Sequence, residues 1–160
     1  MTPDSLFAIG STTKAMTVPA LGMLVDQGKL DWDTPLRIYL PGFRLSDPLT
    51  TERITPRDLV THRSGLPRHD MVWYNNDQST RAEIVEKLAY LELTEDLQAK
   101  FQYNNLMFMT AGYLVGQLSG RFVIKEYRVI SLGFELDKEG RANKAIMYQP
   151  DGVYEALRVK

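Results

Sequence analysis

Two residues in the stretch GSTTKAM, Gly10 to Met16, have the types and spacing for covalent chemistry. A serine hydroxyl is a poor nucleophile until a neighbouring base takes its proton. Lys14 follows Ser11 by three positions, which on a helix puts both side chains on one face. A helix N-terminus adds partial positive charge, favouring a developing anion at Ser11 and disfavouring an ammonium nearby. A buried amine also sheds its proton more readily and can then serve as a base at neutral pH. The plainer reading is that Ser11 caps a helix and Lys14 is an ordinary solvated side chain. S-x-x-K alone does not decide between them.

A second group, YNNL from Tyr103 to Leu106, stands directly before a strongly apolar segment. A tyrosine near a lysine can relay a proton to a leaving group, and an asparagine amide can orient a substrate carbonyl or amide. Here too a plainer reading stands: Asn104 or Asn105 caps the following helix, and Tyr103 is core. Tyr74-Asn75-Asn76 repeats the tripeptide but leads into a polar turn, so the later copy is the better candidate. His62 and His69 are seven apart across a Pro/Gly loop, a spacing that matches no metal-ligand motif, and the chain has no cysteine. No metal and no cofactor are expected. His62 is expected to stabilise the end of a short helix or to bond to backbone.

These groups need rigid elements to hold them. Ser5 to Ile9 reads as a short buried strand. The apolar positions Ala15, Met16, Val18, Leu21, Leu24 and Val25 predict a helix from Thr12 to about Gln27, with Gly28 ending it. Pro19 inside it removes one backbone hydrogen bond, predicting a kink or compensating burial. Residues 29–54 read as an ordered connection. Thr55-Pro56 opens a short helix ending near Thr61-His62, and the loop RSGLPRHD, Arg63 to Asp70, follows. Thr80 with Glu83 forms a capping box for a helix that buries Ile84, Val85, Leu88 and Leu91. Leu106 to Leu118 reads as a fully buried helix, in which Gly112 and Gly116 would let another helix approach closely. Beyond Gly120, Phe134–Leu136, Ala145–Tyr148 and Val153–Val159 read as strands, separated by turns at Asp137–Gly140 and Pro150–Gly152. The fold class is α+β: a mainly helical body over residues 1–120 and a β-rich segment over 121–160 packed on it.

Bulk composition narrows the partners. The 160 residues suffice for one domain with a real core. Nineteen Lys+Arg against twenty Asp+Glu give a net charge of -1 and no basic stripe, which argues against nucleic acid. No apolar run approaches the roughly 20 residues of a bilayer span, and MTPDSLF lacks the pattern of a signal peptide. The compartment stays open.

In order and spacing, FAIGSTTK (Phe7 to Lys14), LVTHRSGLP (Leu59 to Pro67), YNNL, AGYLV (Ala111 to Val115) and Ser119-Gly120 resemble the serine β-lactamase and penicillin-binding-protein-like family. The likeness is closest to class C β-lactamases and their esterase and peptidase relatives, and covers roughly residues 3–120. It implies Ser11 as the acylated nucleophile, Lys14 as its base, Tyr103 as proton relay and Asn105 as a substrate contact. It implies a β-lactamase/transpeptidase-like helical body, with the Ser11 helix and the Leu106–Leu118 helix packed at its centre. It also implies a small-molecule substrate: a β-lactam, a D-alanyl peptide or an ester. Relatives are often periplasmic or secreted.

The family's third motif, Lys or His, then Ser or Thr, then Gly, is not found. Lys138-Glu139-Gly140 has its outline without the hydroxyl and reads as a hairpin turn. The chain therefore resembles a truncated, internally shortened member, joined between Gly120 and Gly133, with a reduced antiparallel sheet and a C-terminal β-meander. In the family that motif's strand gives one of two oxyanion donors, and losing such a donor costs about 10²–10³ in rate. Three readings follow: a serine hydrolase working through an acyl-enzyme, a degenerate module that binds or acylates without turnover, and a non-catalytic domain whose open sheet edges invite homo-oligomer formation.

Overall fold

The computed structural model describes residues 10–74, 76 and 78–119, and the strands β1 (Ser131–Leu136), β2 (Ala142–Gln149) and β3 (Gly152–Leu157). The chain divides into two compact units, Lys14–Lys125 and Met1–Thr13 with Glu126–Lys160. The strand expected over Ser5 to Ile9 lies outside the described residues, as do most of the turn residues between the strands.

Among its described residues the larger unit holds five α-helices: α1 (Lys14–Asp26), α2 (Pro48–Arg53), α3 (Pro56–Thr61), α4 (Arg81–Lys87) and α5 (Asn105–Ser119). None is long and apolar enough to cross a membrane. Each boundary has a local cause. α1 ends in a Schellman arrangement: Gly28, at φ +67°, donates to Val25 O at 2.9 Å, and Lys29 donates to Leu24 O at 2.9 Å. α3 starts at a capping box in which Thr55 and Asp58 each bond the other's backbone N–H, with Pro56 in the first turn. Thr80 and Glu83 cap α4 in the same way.

The core joins α1 (Leu21, Leu24), α3 (Leu59), α4 (Ile84, Val85) and α5 (Leu106, Met107, Ala111, Leu114) to the 29–54 segment through Leu30, Leu36, Phe43 and Ile54. Each such side chain contributes about 1.5–3 kcal/mol on burial. α1, α3 and α4 all pack against α5, so the most apolar helix is the one the others surround.

Several expectations need correction. The Ser11 helix does not begin at Thr12: Gly10–Thr13 forms a 3-10 turn, and the α-helix starts at Lys14. Pro19 lies inside α1 but is exposed, so burial does not compensate its missing hydrogen bond. A methyl group built at Gly112 would meet no described atom within 4 Å, so among the described residues no helix comes into close contact there. The 29–54 segment contains α2, whose cap Asp47 accepts a hydrogen bond from Thr50 N at 2.6 Å. Leu88 is buried as expected but belongs to a 3-10 turn after α4, and Leu91 is only half-buried.

In the smaller unit, β1 pairs antiparallel with β2, and β2 with β3, in sequence order. Phe134 faces Ala145 across the first pair, with an irregularity after Glu135; Met147 faces Tyr154 across the second.

Candidate active site

The start of α5 and the loop Arg63–Asp70 frame a polar cluster within the larger unit. Asn104 and Asn105, adjacent in sequence, divide the two roles that the YNNL stretch left open. Asn104 is fully buried and caps α5, its Oδ1 accepting from Met107 N at 2.9 Å. Its amide nitrogen donates to the carbonyls of Leu66 and Pro67, which fastens the loop to the helix start. Its backbone N–H donates to His62 Nδ1 at 3.0 Å.

Asn105 faces the other way. Its Oδ1 accepts from Lys14 Nζ at 2.7 Å, and its Nδ2 donates to Asp70 Oδ1 at 3.2 Å. Lys14, half-buried at the start of α1, holds its Nζ 4.8 Å from the Tyr103 ring centroid and 5.4 Å from that of Phe108. Both distances are within cation–π range.

Tyr103 is held from several sides. Its ring tilts over His62 with centroids 4.6 Å apart, and the Arg68 guanidinium carbon lies 5.2 Å from its centroid. His62 is itself surrounded by aromatic rings, Phe101 at 5.3 Å and Phe108 at 5.0 Å. Burial first, and the charge of Lys14 second, hold the His62 imidazole below its ordinary pKa. Because Nδ1 accepts a backbone N–H, the neutral ring carries its proton on Nε2.

Asp70 closes the cluster. Arg68 Nε and Nη2 both reach Asp70 Oδ2 at 2.7 Å, and Trp73 Nε1 donates to Oδ1 at 3.1 Å. Partial burial pushes the Asp70 carboxyl up, but the hydrogen bonds from Arg68, Asn105 and Trp73 outweigh it. The net effect leaves its pKa below the usual aspartate value.

Of the four residues singled out in the sequence, the structure brings Lys14, Tyr103 and Asn105 together in one unit. Ser11 is exposed in the Gly10–Thr13 turn, which belongs to the other unit; there Gly10 has φ +51° and Thr13 Oγ1 donates to Gly10 O at 2.9 Å. His62 bonds to backbone, as expected, and also stacks on Tyr103. His69 donates from Nε2 to Glu92 O at 2.9 Å. Arg68 and Asp70 carried no role in the sequence reading; their one signal was a charged pair, Arg-x-Asp, in an otherwise Gly/Pro-bearing loop.

Comparison with known proteins identifies the family. A family model described as "Beta-lactamase" matches residues 1–129. An unguisins hydrolase of Aspergillus campestris (strain IBT 28561) is 37% identical over 136 residues, covering 80% of this chain and 26% of that protein. A teichoic acid D-alanine hydrolase of Staphylococcus aureus is 25% identical over 126 residues, covering 79% of this chain and 30% of that protein. Among solved structures, D-amino acid amidase from Ochrobactrum anthropi SV3 superposes with a TM-score of 0.62 at 27% identity. That match covers 75% of this chain and 34% of the amidase. The chain thus spans about a quarter to a third of the relatives it matches.

Proposed function

Since the chain belongs to the Beta-lactamase family, we propose that it carries the reacting groups of a serine hydrolase that works through an acyl-enzyme on amide or ester carbonyls. Ser11 Oγ attacks the carbonyl carbon while Lys14 takes the hydroxyl proton. The C–N or C–O bond then breaks, and Tyr103 passes a proton to the leaving group. Water releases the acyl group by the reverse sequence. Asn105 contacts the substrate and anchors Lys14. The observation that supports this most directly is the 2.7 Å bond from Lys14 to Asn105 beside the Tyr103 ring.

The named relatives act on different acyl compounds, so the substrate class proposed is broad: β-lactams, D-alanyl peptides or small esters. We further propose that residues 1–120 form the helical body of a β-lactamase/transpeptidase-like fold. In this reading β1 to β3, within residues 121–160, supply its reduced sheet and closing meander. A second reading rests on a specific observation: no Lys/His-Ser/Thr-Gly motif occurs in the sequence. In that reading the second oxyanion donor is lacking, and Ser11 acylates without efficient turnover.

One experiment separates these readings. The protein and its Ser11→Ala variant are exposed to nitrocefin, with colour followed over time and intact mass measured afterwards. Catalytic turnover that Ser11→Ala abolishes supports the hydrolase. A stoichiometric adduct on Ser11 without turnover supports the acylating module. Neither result leaves a non-catalytic, self-associating domain.

A further inference from the structure

We propose that Asp70 is a positioning residue that fixes the amide orientation of Asn105 and, through it, the direction in which Lys14 presents its nitrogen. This inference rests on the reading of Lys14 as the base and extends it.

The argument starts from donor and acceptor inventories. A lysine ammonium only donates, and a carboxylate only accepts. Asn105 lies between the two, 2.7 Å from Lys14 Nζ through Oδ1 and 3.2 Å from Asp70 Oδ1 through Nδ2. Turning the amide over would set its oxygen against the carboxylate, which can only accept, so Asp70 enforces one orientation whichever form Lys14 takes. Without Asp70 nothing in this pair of contacts penalises rotation about the Asn105 side chain except Lys14 itself.

Asp70 is also rigid enough to act as the reference point. An ionised carboxylate offers about four lone-pair directions. Here they are taken by Asn105 Nδ2, Trp73 Nε1, Arg68 Nε and Arg68 Nη2. That saturation leaves no acceptor capacity for a substrate cation, which argues for positioning rather than ligand binding. The same carboxylate steadies the Arg68 guanidinium, whose carbon lies 5.2 Å from the Tyr103 ring centroid. One side chain on the 63–70 loop therefore touches a neighbour of each of two reacting groups.

A double-mutant cycle tests this. Single-turnover ring opening of nitrocefin is measured in the full chain for wild type, Asp70→Ala, Asn105→Ala and the double variant. Loss of a hydrogen bond to a charged group predicts that Asp70→Ala slows acylation about 10- to 100-fold. In the Asn105→Ala background the same change should add little, because the pathway is already cut. Multiplying effects would show that Asp70 acts independently of Asn105 and would overturn the inference. Asp70→Asn covers the case in which the alanine variant fails to fold: its oxygen can still accept from Asn105 and Trp73, so it should recover much of the rate. A rate as low as that of Asn105→Ala would count against the idea. If wild type shows no ring opening, the hydrolase reading fails instead, and the positioning claim is read by NMR. The Asn105 side-chain NH2 pair should be protected from exchange in wild type and lose protection in Asp70→Ala; equal exchange in both would refute it.

Discussion

Asn104→Ala removes more than a helix cap. The wild-type amide satisfies three backbone groups at once: Met107 N–H, and the carbonyls of Leu66 and Pro67. Its residue is 0% exposed, so water does not replace what the side chain gives up. Loss of an N-cap costs about 1 kcal/mol. Two carbonyls left without their partner cost about 1–3 kcal/mol each, giving about 3–5 kcal/mol for the substitution after partial relaxation. For a unit of this size that corresponds to a fall in Tm on the order of 10–20 °C. Asn104→Ser should be milder by about 1 kcal/mol, since a hydroxyl still caps. Asn104→Asp isolates the loop bonds: it caps as well as asparagine but turns an acceptor towards two acceptors, so it should be no more stable than the alanine variant. Urea unfolding of the four proteins provides the ranking. An Asn104→Asp protein within about 0.5 kcal/mol of wild type, the range of ordinary surface substitutions, would refute the claim that this amide fastens the loop to α5.

Further outcomes are expected. His62 has a depressed folded-state pKa, set by burial and by Lys14, so its contribution to stability is complete above the unfolded value of about 6.5 and is lost as pH falls through the folded value. Wild type should therefore lose stability below that pH more steeply than His62→Phe; parallel curves would remove His62 as the cause. Gly65 has φ +80°, and an added methyl would run into the Glu95 carbonyl, whereas Gly28, at φ +67°, has no described atom within 4 Å of that position. Gly28→Ala should cost about 1 kcal/mol and Gly65→Ala clearly more, as measured by thermal unfolding. Thr55→Ala should cost about 1 kcal/mol through the α3 capping box, checked by the same melt.

How much of this was legible beforehand depends on the range of the interaction. α3 and α4 were readable because Thr55-Pro56 and Thr80 with Glu83 carry their start signals within four residues. Asp47-Pro48 carries the same kind of signal for α2, but the surrounding Pro- and Asp-rich composition masked it. α5 stood out through its apolar run. Pro19 misled in part: a proline's missing bond suggested a kink or compensating burial, yet the helix keeps it on the exposed side and buries Leu21 and Leu24 instead. The site divided along the same line. Lys14, Tyr103 and Asn105 were singled out by type and motif, and the structure brings them together. Asp70 was not, because its link to the site is Asn105, 35 positions away, and Lys14 meets Asn105 across 91. No local pattern encodes such closures; they exist only once the 63–70 loop is fastened to the start of α5.

The indole of Trp73 hydrogen-bonds the carboxylate at the centre of this cluster, and the chain has one other tryptophan, Trp32, beside Arg57. The molecule consequently carries a built-in fluorophore wired to its polar cluster. In a Trp32→Phe background the tryptophan emission comes from Trp73, and its wavelength and quenching report on the surroundings of the Asp70 carboxylate and of the Tyr74 ring without a label.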